Sequence, residues 1–156
     1  MDDGYNSYQY DTLSGEGVGI ASGLFAFFIL FTVLSYAIFA FLLGKIFKKS
    51  GVPQWAAWVP VYNNWKLLEI GGQQGFWAVL ALIPFVNLVA AIFIYISMYQ
   101  IGLKLQKESW FVILAIFLPL VWLIWLAFDD SKWDNKKGEP SKVTPVKKPT
   151  RSIKSA

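Results

Sequence analysis

The sequence predicts an all-α membrane protein: three transmembrane helices, with a proline-broken interfacial or re-entrant helical segment between the first two. Three observations predict this class. Val18–Leu43, Phe76–Tyr99 and Trp110–Phe128 are apolar runs of 26, 24 and 19 residues without a charged side chain, and a hydrocarbon core about 30 Å thick takes roughly 20 residues of helix to cross. Hydrophobic residues make up 56% of the chain and charged ones 15%, far from the balance of soluble domains. Between the first two runs, residues 52–72 mix prolines, tryptophans and charges in a pattern that suits neither lipid nor bulk water.

Residues 1–14 are polar, acidic and tyrosine-rich, and read as a disordered outer tail. The first helix is expected to start near Gly15–Val18 and to run to about Phe47, where Lys45, Lys48 and Lys49 mark a membrane face. Ser50-Gly51 followed by Pro53 is a helix stop. In residues 53–70, Pro60 divides two short helices, and Trp55, Trp58, Tyr62 and Trp65 are types that settle at the headgroup level. Gly71, Gly72 and Gly75 turn the chain into the second span (76–99), where Pro84 predicts a kink. A short loop from Gly102 to Ser109 leads to the third span (110–128), with Pro119 at its middle. The transmembrane domain is thus 15–128, and 129–156 is a basic, proline-containing tail expected to be extended and unfolded. Val59-Pro60-Val61-Tyr62-Asn63 is echoed by Ile83-Pro84-Phe85-Val86-Asn87, and more faintly by Leu118-Pro119-Leu120-Val121. This recurrence fits prolines that kink membrane helices, or a duplicated hairpin.

Charge sets the orientation. With three crossings and the N-terminus outside, twelve basic residues face the cytoplasm (Lys45, Lys48, Lys49, Lys66 and eight in the tail), against Lys104 and Lys107 outside. A fourth crossing by 53–70 would put the basic tail outside and bring Lys66 and Glu69 into lipid, at roughly 2.5–3.5 kcal/mol for each central charge. The expectation is a multi-pass inner-membrane protein, N-out and C-in.

Much chemistry is excluded. The chain has no cysteine and no histidine, which removes thiol nucleophiles, imidazole bases and thiolate or imidazole metal sites. No cofactor is expected. Gly15, Gly19 and Gly23 recur every fourth residue, a spacing that lets helices pack closely within a chain or between copies. Pro84 and Asn87 stand deep in the second run, where the asparagine amide is expected to seek a carbonyl such as that of Leu80, freed by the proline. Pro60, Asn63, Lys66 and Glu69 make the densest polar cluster beside the bilayer, read either as a surface ion pair or as a contact for a headgroup or partner. The partners expected are the lipid bilayer, anionic headgroups met by the basic tail, and a second copy or another membrane protein. Nucleic acid is disfavoured, since no aromatic platform accompanies the lysines.

Five short motifs carry a resemblance: Lys49, Gly51, Pro53 and Trp55; Pro60, Tyr62 and Asn63; Leu67, Leu68, Ile70 and Gly72; Ile83, Pro84, Val86 and Asn87; and Leu126, Ala127 and Phe128. Together they resemble a bacterial integral-membrane family of uncharacterised function. Members usually close with glycine-aspartate and a tyrosine, where this chain has Asp129, Asp130 and Trp133. Some members are labelled signal peptidase I. That enzyme needs a serine nucleophile beside a lysine base on a folded domain outside the membrane, and the expected outer segments are too short to form one. The expected function is non-enzymatic, through helix packing or partner binding. The alternative is a small transporter or channel component, disfavoured by the lack of ionisable residues within the runs.

Overall fold

The structure, a computed structural model, describes residues 7–143, with side chains from Gly17 onward. Every secondary-structure element among the described residues is helical: α1 (Ser7–Ser50), α2 (Tyr62–Ile70), α3 (Trp77–Leu80), α4 (Val86–Lys104), α5 (Val112–Phe117) and α6 (Pro119–Phe128), with 3-10 turns at Gln54–Trp58 and Ser109–Phe111. The chain divides into two compact units, residues 1–38 and 39–156.

The first unit is the N-terminal part of α1. Val18, Phe25, Leu30 and Leu34 are all exposed. Two of its hydroxyls turn inward to their own backbone: Ser22 Oγ donates to Gly19 O (3.0 Å) and Thr32 Oγ1 to Phe28 O (2.7 Å). From Gly17 to Ile38 the exposed surface is mainly apolar, a composition suited to lipid.

The second unit is a set of three helical hairpins packed on the last turns of α1. Ala40, Leu43, Ile46 and Phe47 of α1 are buried. Gly44 lets the backbone of Gln54 and the side chain of Ala57 come close, for a Cβ there would lie 3.3 Å from Gln54 O. Gly51, at φ 84°, closes α1: its amide donates to Lys48 O, and the Val52 amide to Phe47 O (2.9 Å), a pattern that needs a left-handed residue.

The first and smallest hairpin folds about Pro60-Val61, with Trp55 stacked on Tyr62 at 5.7 Å. The second folds about Phe85: Trp77 stacks on Phe93 at 4.2 Å and Gly71 lies against Ser97, so residues 71–85 run antiparallel to α4. The third folds about Leu118. There Phe111 meets Trp125 edge-on at 5.7 Å and Lys107 pairs with Asp129, so α5 and α6 are antiparallel.

Two of the three turns are the same device. Val61 (φ 66°, ψ −47°) and Phe85 (φ 69°, ψ −45°) each follow a proline. In each, the amide two residues after the proline donates to the proline carbonyl (Tyr62 to Pro60, 2.7 Å; Val86 to Pro84, 2.9 Å). The following asparagine amide then donates back to the residue before the proline (Asn63 to Val59, 2.9 Å; Asn87 to Ile83, 3.0 Å). These are tight γ-turns of the rare, strained hand. The sequence echo at 59–63 and 83–87 is therefore a structural repeat. The third member departs from it: Leu118 has φ −136°, and Pro119 opens α6 at a position where its missing amide costs nothing.

Several expectations are corrected. Among the described residues two helices, not three, are long and apolar enough to cross a membrane: α1 over Gly17–Ser50 and α4 over Val86–Lys104. The run 110–128 is broken at Leu118, because α5 ends before a proline that cannot continue it. In the run 76–99, Pro84 produces no kink. It lies between α3 and α4, and the helix that follows starts at Val86 and continues to Lys104. The first helix begins at Ser7, well before Gly15–Val18, so residues 7–14 are helical where a disordered tail was expected; residues 1–6 lie outside the described part. Of the tail expected to be unfolded, residues 129–143 pack on the second unit; 144–156 lie outside the described part.

Candidate functional site at the base of the hairpins

Placing the hairpins brings their open ends together, and with them most of the second unit's charge. The organising residue is Asp129, which follows α6. Its carboxylate accepts from Lys49 Nζ at 2.8 Å, from Lys107 Nζ, and from Ser131 Oγ at 2.6 Å. Lys49, in the last turn of α1, also donates to the carbonyls of Leu126 and Asp129 (2.6 Å each). A cation at a helix C-terminus opposes the partial negative charge of its free carbonyls. Lys45, one turn earlier, lies over the ring of Phe128 at 3.6 Å. Burial pushes the Asp129 carboxyl up, but the hydrogen bonds from Lys107, Lys49 and Ser131 outweigh it and hold it at about 2.

Beside this pair sits a wholly buried lysine. Lys104, the last residue of α4, donates from Nζ to Ile70 O at 2.6 Å and lies 5.5 Å from the ring centre of Trp133. The bond ties the end of α4 to the end of α2. One helix face carries Ala90, Ser97, Ile101 and Lys104, all buried, and Ile94 packs on the core from the same side. The alternating spacing of three and four is that of a packing seam. Ser97 Oγ on this seam donates to Leu68 O at 3.5 Å, and Gly71 can only be glycine where α2 ends against Ser97.

The segment after Asp129 is laid over this base. The Asp134 amide donates to Lys104 O (2.8 Å) and the Lys142 amide to Glu69 O (2.9 Å). Gln73 Nε2 donates to Glu139 (3.2 Å), and the Glu139 amide to Gln100 Oε1 (3.2 Å). Lys132, Lys136, Lys137 and Lys142 on this pinned strap are exposed. A shallow cavity of about 130 Å³ lies under it, lined by Ser50, Trp133, Asn135, Ser141 and Val143.

The residues singled out by sequence are only partly gathered here. Lys66 and Glu69 pair at 2.7 Å, and Trp65 Nε1 donates to Glu69 at 2.8 Å. Burial lowers the Lys66 affinity for its proton, but the hydrogen bond and charge of Glu69 prevail and raise its pKa. Asn63 is buried, with Oδ1 accepting from the Asn64 amide at 2.6 Å and Nδ2 donating to Ala57 O at 3.5 Å. Asn87 stands apart, exposed beside the Phe85 turn. The expected bond to Leu80 is not made, because Pro84 interrupts no helix: the Leu80 carbonyl already accepts from the Ile83 amide at 3.0 Å. Gly19 and Gly23 have open space where a Cβ would be, so neither packs against the described chain. The side-chain surroundings of Gly15 lie outside the described part.

Sequence reasoning placed Lys104 and Lys107 in an outer loop, apart from Lys49; in the structure the Asp129 carboxylate binds Lys49 and Lys107 together. The signal that could have found Lys104 is its register with Ala90, Ser97 and Ile101. Among the described residues, no group of three or more acidic side chains could hold a metal ion.

Residues 55–136 match a protein family whose description is a family of unknown function, DUF5684. The match spans the three hairpins and the start of the strap. No curated protein and no solved structure matches the chain.

Proposed function

We propose, for a chain that belongs to the family of unknown function DUF5684, a non-enzymatic role: a membrane-integrated protein that presents a fixed basic surface to anionic headgroups and to a partner protein. In this reading α1 crosses the bilayer with its acidic N-terminal end outside. Its lysine-bearing end, the base and the strap then lie in the cytoplasm, as the distribution of basic residues favours.

The observation that carries the reading is how the base uses its charges. The Lys49, Lys104 and Lys107 amines are spent on carbonyls and on Asp129, which hold helix ends together, while Lys132, Lys136, Lys137 and Lys142 stand exposed on a strap pinned beside them. Such lysines gain about 1 kcal/mol each near an anionic surface. A peptidase reading finds no support in this geometry. Ser97 and Lys104 share a helix face but stand about 10 Å apart along it, and each is bonded to a different carbonyl of α2.

The test is reconstitution of the purified chain in nanodiscs of neutral or of anionic lipid, with trypsin cleavage at the strap lysines as the readout. Cleavage is expected to slow in anionic discs at low salt and to recover at high salt, where screening is strong. Equal rates in both lipids would remove the headgroup role. Turnover of peptide or lipid by the same preparation, lost in Lys104→Met, would refute the non-enzymatic one.

A further inference from the structure

We infer that residues 71–129 enter and leave the bilayer from a single face, as two re-entrant hairpins whose apolar tips lie among lipid acyl chains. The inference rests on the reading of the chain as membrane-integrated, and it replaces three crossings by one.

The first observation is that each hairpin is tied shut at its open end. Residues 71–104 start and finish beside the bond from Lys104 Nζ to Ile70 O. Residues 107–129 start and finish at the ion pair of Lys107 with Asp129. Lys49, which ends α1, meets the same carboxylate. A segment whose two ends share a salt bridge has both ends on one side of the membrane. The third hairpin is also too shallow to cross: α6 has 10 residues, about 15 Å of helix, or half the hydrocarbon thickness.

The second observation is the composition of the tips. Phe85 is 89% exposed, Leu88 74% and Leu82 67% at one turn; Phe117 is 76% and Leu118 53% exposed at the other. No charged residue occurs between Gly71 and Ile101 or between Ser109 and Phe128, whereas the opposite end carries Lys49, Lys104, Lys107 and Asp129. Apolar surface this concentrated, facing away from a charged base, matches hydrocarbon as its occupant. Non-helical backbone at such depth needs its amides and carbonyls satisfied within the protein. The γ-turn at Pro84–Val86 closes the Val86 amide onto the Pro84 carbonyl, and the Asn87 amide onto that of Ile83.

The third observation is the charge count. All 14 basic residues lie at or after Lys45. With one crossing they all fall on one face, a stronger positive-inside bias than the twelve-to-two split that three crossings give.

The chain contains no cysteine, so single cysteines can be read without background. They would be placed at Ser7, Ser50, Gln74, Ser109 and Leu118, and probed with an impermeant maleimide in intact and in permeabilised cells. Ser50, Gln74 and Ser109 are expected to label only after permeabilisation, and Ser7 in intact cells. Leu118 is expected to stay unlabelled in both until the membrane is dissolved, although half its surface is open in the protein. Labelling of Ser109 in intact cells, repeated with Gln106→Cys, would show that the chain crosses between Gln74 and Ser109 and overturn the hairpins. Ready labelling of Leu118 in permeabilised cells would place that tip in water and overturn them as well. Labelling of Ser7 and Ser50 from the same side would instead sink the reading of α1 as a crossing helix, and with it the premise.

Discussion

Asp129→Asn is the most direct probe of the base, because a single carboxylate joins the end of α1 to both ends of the last hairpin. Asparagine keeps the shape and one acceptor but removes the charge. Lys49 retains its two carbonyls, so the main loss is the ionic partner of Lys107 and part of that of Lys49. Hydrogen bonds to charged groups contribute roughly 1.5–3 kcal/mol. The carboxylate is only 16% exposed, which keeps solvent screening modest, and a loss of about 2 kcal/mol is expected. The proton affinity gives the same size: a carboxyl lowered from 3.8 to about 2 corresponds to about 2 kcal/mol at neutral pH. For a unit of this size that lowers the melting midpoint by about 8 °C, readable as tryptophan fluorescence in mild detergent. The sign with pH follows. A depressed folded-state pKa contributes stability above the unfolded value and loses it as pH falls toward about 2. The wild-type and variant midpoints should therefore differ fully at about pH 6 and converge near pH 2. A midpoint within about 2 °C of wild type at pH 6, or a gap that persists unchanged at the acid end, would refute the role given to Asp129.

Four further outcomes follow from the packing. Gly71→Ala sets a methyl group on the backbone and side chain of Ser97 and should cost about 3 kcal/mol. Gly19→Ala, with open space around it, should be neutral or stabilising by up to about 1 kcal/mol; comparable losses in paired detergent melts would remove the close contact of α2 with α4. Val61→Gly relieves a β-branched residue held at φ 66° and should raise the midpoint by the equivalent of about 1 kcal/mol. A drop there would mean that the Val61 side chain outweighs the turn strain. Trp122 is wholly buried and its indole N–H has no acceptor among the described residues. Trp122→Phe should thus change stability by less than about 1 kcal/mol, since losing an unsatisfied donor, itself costing about 1–3 kcal/mol, offsets the lost volume. A fall of more than about 3 kcal/mol would show that this N–H has a partner.

The candidate site was legible in pieces. The Lys66–Glu69 pair is local in sequence, one turn of helix apart, so the ion pair at 2.7 Å could be read from spacing. Lys104 was hidden by its neighbours: a lysine after a long apolar run reads as the point where a helix meets water. Its burial depends on Ile70 and Trp133, 34 residues before it and 29 after it. Asp129 was similarly read as the close of a span, because its partners Lys49 and Lys107 are set by long-range folding. Asn87 was misplaced for the opposite reason. Its position inside an apolar run implied depth in a helix, whereas the chain turns two residues earlier and leaves it beside an exposed tip.

By itself the sequence determined that the chain is helical and apolar enough to include membrane-crossing helices, that α1 stops at Gly51, and that Pro60 separates two short elements. These follow from local chemistry: the length of charge-free runs, a left-handed glycine, a missing amide. Only the tertiary structure decided whether an apolar run passes straight on or folds back. Hydropathy is the same for a residue facing lipid and for one facing the other arm of a hairpin, so runs of 24 and 19 residues carry no direction. Proline allows either a kink or a turn. Val61 and Phe85 at positive φ contradict their own backbone preferences, which no local signal predicts. The choice is made where Lys49, Lys107 and Asp129 meet, because an ion pair between distant residues fixes both ends of a segment in one place.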